Sequence, residues 1–84
     1  MSSMRIHLTP GQHARLLARL PLPAQRRAIR LNAGLSMRSI ADDLGVTTTA
    51  VRLWEVGQRN VSPDYLERYV ALLDDLRAAE GGRP

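Results

Sequence analysis

Few side chains in this sequence could run catalysis. His7 and His13 are the only histidines. They stand six residues apart with Thr9-Pro10 between them, so they do not share one helical face, and no acidic cluster accompanies them. Asp42-Asp43 and Asp74-Asp75 are adjacent pairs, and neighbours on a helix point in different directions. Solvated faces account for them. There is no cysteine, which excludes a thiol nucleophile, a thiolate metal site and a disulfide framework. A glycine-rich phosphate loop is also missing. The expectation is a protein with no catalytic residue, no metal, no cofactor and no small-molecule ligand. The remaining candidates are hydroxyls and guanidiniums, densest in "LGVTTTAVRLWEV", residues 44–56.

Three consecutive threonines are an unusual start for a helix, because a branched β-carbon restricts χ1. At 100° per residue, Thr47, Ala50, Val51 and Trp54 fall on one side. Thr49, Arg52, Leu53 and Val56 fall on the other, with Thr48 and Glu55 on the flanks. The first side reads as core. The second combines hydroxyls, an Arg and aliphatic groups with no carboxylate. Such a mixture suits a major groove: hydroxyls bond base edges, Arg pairs with guanine, and methyl-bearing chains touch thymine methyls. Thr47 is expected to cap the helix, with its hydroxyl accepting from a free N–H of the first turn. Thr48, Thr49, Arg52 and Leu53 are the expected base-contacting residues of a recognition helix spanning 48–56.

The charge distribution fits a polyanionic partner. The 84-residue chain carries a formal net charge of +4. Residues 1–40 hold seven arginines and no acid, whereas residues 41–84 hold five arginines and eight acids. Every basic residue is Arg, a planar fork suited to phosphate and guanine. No apolar run approaches the 18 or so residues of a membrane span, and no signal-peptide pattern follows Arg5. The expected setting is the cytoplasm, in association with DNA.

These residues need a scaffold, and the length allows one small domain. No alternating apolar run reads as a strand. "TPGQ" at 9–12 is a capping-box pattern with Pro at the first helical position. The helix it opens, 10–20, carries Leu16, Leu17 and Leu20 on one side. "PLP" at 21–23 ends it. Pro23 opens a second helix through Ala33, with Gly34 as its stop. Ser36 caps a third, which buries Ile40, Ala41 and Leu44 and ends at Gly45. Thr47 caps a fourth, ending near Val56 and Gly57. Ser62-Pro63 opens a last helix to about Ala79. The expectation is an all-α, compact five-helix domain over 9–79, with a flexible segment 1–8 and a frayed tail 80–84. Helices three and four, within 36–56, are so short and so closely linked that they must cross steeply, as in a helix-turn-helix.

The stretch "GLSMRSIADDLGVTTTAVRLWEVGQRNVSPDYL", residues 34–66, resembles the helix-turn-helix of the Xre-type family, which includes the phage Cro and repressor proteins. The matching features are "GLS" before the first helix, Ile40-Ala41 within it, "LGV" at the turn, Thr47 at the cap, Val51 in the core and Glu55-x-Gly57 after the recognition helix. The resemblance implies a lambda repressor-like fold and a sequence-specific regulator of transcription that binds double-stranded DNA. It implies that Thr48, Thr49 and Leu53 read bases, with Arg52 between them, and that Arg59 and Asn60 contact phosphates. It further implies that Arg30 pairs with Glu55 as an internal brace. Met37 stands where the family often has a phosphate-binding Gln, and Arg38 beside it is a candidate replacement for that contact.

One recognition helix reads few base pairs, so a homodimer on an inverted repeat is expected. The apolar surplus of the last helix, Tyr69, Leu73 and Leu76, is a candidate contact for the partner. The same residues could instead pack on the helix-turn-helix. The alternative function is a protein-interaction module on the same fold, such as an antitoxin that masks a toxin.

Overall fold

Capping residues divide the chain into its helices. The computed structural model describes residues 8–81. It contains α1 (Pro10–Arg19), α2 (Pro23–Asn32), α3 (Met37–Leu44), α4 (Thr48–Val56) and α5 (Pro63–Gly81), and there is no strand among the described residues. Thr9, Ser36 and Thr47 each accept a hydrogen bond from a first-turn N–H of α1, α3 and α4, at 3.1, 3.0 and 3.0 Å. Each bond satisfies a donor that the helix itself leaves free. In α1, Gln12 returns the bond by accepting from the Thr9 N–H, which completes the capping box. α2 starts on Leu22, which has no side-chain acceptor to offer. α5 runs to Gly81, two residues past the expected end at Ala79. The segment expected to be flexible, apart from Leu8, lies outside the described residues, as do His7 and residues 82–84.

The core forms where α2, α3, α4 and α5 meet. Ile29, Ile40, Ala41, Leu44, Ala50, Val51, Trp54, Val61, Leu66, Tyr69, Val70 and Leu73 are buried together. Trp54 is tilted against Tyr69 at a centroid distance of 5.0 Å and against Tyr65 at 6.5 Å. A pair of aromatic rings in such a geometry adds about 0.5–1.5 kcal/mol beyond its area burial. No residue of α1 is buried. That helix lies on α5, with Leu16 and Leu20 packed on the margin of the core and Arg19 bonded to Asp74.

The structure decides between the two readings of the α5 face and corrects one expectation about α1. Tyr69 and Leu73 are 1% exposed, and Leu76 is half-buried against the same core, so they do not form a free face for a partner. The helix-turn-helix on one side and α1 on another cover α5, which uses up its apparent surplus. Leu17, expected beside Leu16 and Leu20, is 49% exposed instead. It lies 100° around the helix from Leu16, beyond the stripe that meets α5.

Candidate nucleic-acid interface

A sharp turn sets α3 against α4. Gly45 ends α3 at φ +73°, a conformation that L side chains rarely adopt, and its N–H donates to the Ala41 carbonyl. Val46 and Thr47 follow, and α4 begins at Thr48. Gly57 ends α4 in the same left-handed way, and the N–H groups of Gln58 and Arg59 fold back onto the Leu53 carbonyl at 3.0 and 3.3 Å. Both glycines replace a further helical turn with a reversal of the chain. The result is a nine-residue helix with a defined start and stop.

Arginines from outside the motif hold it at three points. Arg30 donates from Nε to Glu55 Oε2 at 2.7 Å, from Nη2 to Oε1 at 3.0 Å and from Nη1 to the Leu35 carbonyl at 2.9 Å. Both side chains are buried, at 7% and 1% exposure. The hydrogen bond to Glu55 raises the affinity of Arg30 for its proton, and burial opposes it. Arg26 donates from Nε to the Pro21 carbonyl at 2.7 Å and from Nη1 to the Trp54 carbonyl at 2.8 Å, near the end of α4. Burial lowers its pKa. Arg68, on α5, donates to the Asp43 and Leu44 carbonyls at 2.8 and 3.3 Å. Neither α3 nor α4 has a basic residue in its own last turn. Arg68 and Arg26 supply positive charge to those negative helix ends from elsewhere in the chain.

The sequence reading missed Arg26 and Arg68. The available signal was the missing cation in the last turns of α3 and α4. Arg30 is buried and Arg26 half-buried, while Arg68 is exposed but spends its guanidinium on the Asp43 and Leu44 carbonyls, so the arginine count overstates the charge offered to a partner.

The expected base-contacting residues occupy one surface. Thr48, Thr49, Arg52 and Val56 are exposed, and Leu53 is half-buried. Glu55, the only carboxylate of α4, is drawn into the core by Arg30. Among the described residues, the outer face of α4 therefore presents hydroxyls, a guanidinium and methyl groups with no acid. Arg59 and Asn60, both exposed, border the same groove as residues 45–47, so the loop after α4 flanks the start of that helix. Arg38 is 83% exposed on the first turn of α3, 3.9 Å from Asp42. Met37 is half-buried and packs on the core, which explains an apolar residue in that first turn.

Two short helices across a glycine turn, with an acid-free outer face on the second, define a helix-turn-helix DNA-binding domain. The chain belongs to the Xre/Cro-like helix-turn-helix family: the family model described as Helix-turn-helix matches residues 27–80, more than half of the chain. No curated protein and no solved structure matches it. The family is one of DNA-binding regulatory domains. Among the described residues, no helix is long and apolar enough to cross a membrane, and no group of His, Cys, Asp or Glu could hold a metal ion.

Proposed function

We propose that this protein is a transcription regulator, acting in the cytoplasm, that reads a specific double-stranded DNA sequence with α4 in the major groove and binds as a pair on an inverted repeat. The observation that carries this reading is the outer face of α4. It exposes Thr48, Thr49, Arg52 and Val56, while Glu55 is withdrawn into the core. A helix meant only for solvent has no need to remove its single acid from the surface. Thr48, Thr49, Arg52 and Leu53 contact bases, and Arg38, Arg59 and Asn60 contact phosphates. The Arg30–Glu55 pair fixes the angle at which α4 enters the groove.

A nine-residue helix is about 13 Å long and spans about four base pairs. A site that short recurs every few hundred base pairs, far too often for regulation. A second copy one helical turn away removes the degeneracy. The test is a gel shift with selection from a randomised duplex pool. The expected result is an enriched inverted repeat whose affinity falls steeply with salt. Failure to shift any duplex refutes the reading and favours a protein-interaction module on the same fold.

A further inference from the structure

The outer face of α4 is defined as much by the side chains it lacks as by those it carries. Thr48, Thr49, Arg52 and Val56 are exposed, and Leu53 is half-buried. None of them carries a carboxamide or a carboxylate. Asparagine and glutamine are the side chains that pair with adenine, and a carboxylate is the acceptor for the cytosine amino group. Glu55 is committed to Arg30. The next amides along the chain, Gln58 and Asn60, lie beyond the Gly57 stop, where the chain reverses. What remains is one guanidinium among methyl groups.

That arrangement follows from the helical period. Thr48 and Thr49 stand four and three residues before Arg52, and Val56 stands four after it, so all three are its neighbours on the helix surface. Glu55, three residues on, would be the local partner for Arg52, but Arg30 bonds both of its oxygens. Among the described residues, Arg52 therefore keeps its guanidinium free of any carboxylate. From Thr49 to Val56 the axis rises about 10 Å, about three base-pair steps. Val56 is 54% exposed, an aliphatic group left in water at the far end of this stripe. A free guanidinium suits guanine, which offers two acceptors in the major groove, and methyl groups on either side of it suit the C5 methyl of a pyrimidine.

We propose that α4 reads the C5 methyl groups of pyrimidines that flank a guanine, with Val56 as one of the reading residues, so that 5-methylcytosine takes the place of thymine in the site. The inference rests on the DNA-binding reading above and names the chemistry of its target. Thymine and 5-methylcytosine present the same methyl group in the major groove. They differ beside it, with an acceptor O4 in thymine and a donor N4 in the cytosine. A threonine hydroxyl donates or accepts by rotating, so Thr48 and Thr49 can meet either base. Val56 can touch only the methyl. On the opposite strand the exchange turns adenine into guanine, and the face holds no amide that would register the loss of adenine. Methylation of cytosine at C5 would thus raise occupancy of a site with no change in its base sequence.

The test uses the full chain and a duplex that the parent selects from a randomised pool, resynthesised with single changes at the pyrimidines beside the selected guanine. Uracil in place of thymine removes one methyl and should weaken binding about fourfold. A C·G pair in place of T·A should weaken it at least as much, and a 5-methylcytosine·G pair should restore it to within about twofold of the original site. Thr49→Ser keeps the hydroxyl and drops the methyl, so it should bind the thymine and uracil forms of one position alike. Thr49→Val does the reverse and should still distinguish them. Val56→Ala should lose the distinction at a second position. Each comparison is a ratio for a single variant, so any change in folding cancels.

The inference is overturned if uracil binds as well as thymine at every position beside the guanine, or if 5-methylcytosine binds no better than cytosine. It is also overturned if the selected sites hold no guanine with a neighbouring pyrimidine. A Val56→Ala variant that keeps every distinction removes Val56 from the reading residues. A parent that selects a defined site and still gives one of these results leaves the DNA-binding reading standing and removes this inference alone. A parent that shifts no duplex at all removes both.

Discussion

Glu55→Ala should be among the most damaging single substitutions in this protein. It leaves Arg30 buried, with two of its three hydrogen bonds gone and only the Leu35 carbonyl remaining. Breaking a buried ion pair by removing one partner costs about 3–5 kcal/mol, because the surviving charge has neither water nor a counter-charge. A chain of this length has a total stability of roughly 4–13 kcal/mol. Each kcal/mol moves the midpoint of a domain this size by about 4–8 °C. A cost of about 3 kcal/mol therefore lowers the melting temperature by roughly 12–24 °C, measured by circular dichroism. The double variant Arg30→Met with Glu55→Leu removes both charges and should recover most of the loss. The Leu35 carbonyl would still lack its guanidinium, at a cost of about 1 kcal/mol. If Glu55→Ala melts within about 2 °C of the parent, far inside the range expected for a buried charge, the pair does not brace α4 against α2.

Thr47→Ala should lower stability by about 1 kcal/mol, read from the thermal midpoint, and leave the selected DNA sequence unchanged, since its hydroxyl serves the Ala50 N–H. Thr49→Ala and Arg52→Ala should do the opposite: unchanged melting, with preference relaxed at one or two base pairs by about 1–3 kcal/mol each in a selection experiment. Arg59→Ala should weaken selected and random duplexes alike and flatten the log–log salt dependence by about one unit, and an unchanged slope would remove Arg59 from the phosphate contacts. Burial, reinforced by the charge of Glu55, pushes the Tyr69 hydroxyl up to about 12. Its folded-state pKa thus lies above the ordinary value near 10. The stability it contributes is complete below pH 10 and drains away between 10 and 12, by on the order of 3 kcal/mol. Tyr69→Phe should flatten that alkaline loss in denaturant titrations at pH 9, 10 and 11.

The helix boundaries were legible because local chemistry sets them. Thr9, Ser36 and Thr47 cap their helices with their own hydroxyls, and Gly45 and Gly57 stop theirs through a conformation that other residues avoid. The inner side of the helix-turn-helix was legible for a related reason. Ile40, Ala41, Leu44, Ala50, Val51 and Trp54 follow the helical period, and all are buried. The outer face of α4 could be read only as a pattern of exposure, since exposed side chains take no part in the core packing that constrains residue type. The α5 face was left open between two readings because periodicity identifies an apolar side and not the neighbour that covers it. Tyr69 and Leu73 needed the positions of α2, α3 and α4 before their surroundings were known. Arg26 and Arg68 were hidden for a different reason. Their carbonyl partners at Trp54 and Leu44 lie 28 and 24 residues away in the chain. No local pattern distinguishes such a guanidinium from one that meets phosphate.

On α4, the side chains that hold the domain together and those that face outward are almost disjoint. Ala50, Val51, Trp54 and Glu55 are enclosed, while Thr48, Thr49, Arg52 and Val56 are exposed. Surface substitutions of that kind change stability by about half a kcal/mol or less. The outward letters can therefore be rewritten one at a time without unfolding the molecule. On the DNA reading proposed above, a lineage carrying this domain is free to follow a mutating target sequence in single steps, each intermediate still folded, and an engineer could transplant a different outer face onto the same four inward residues.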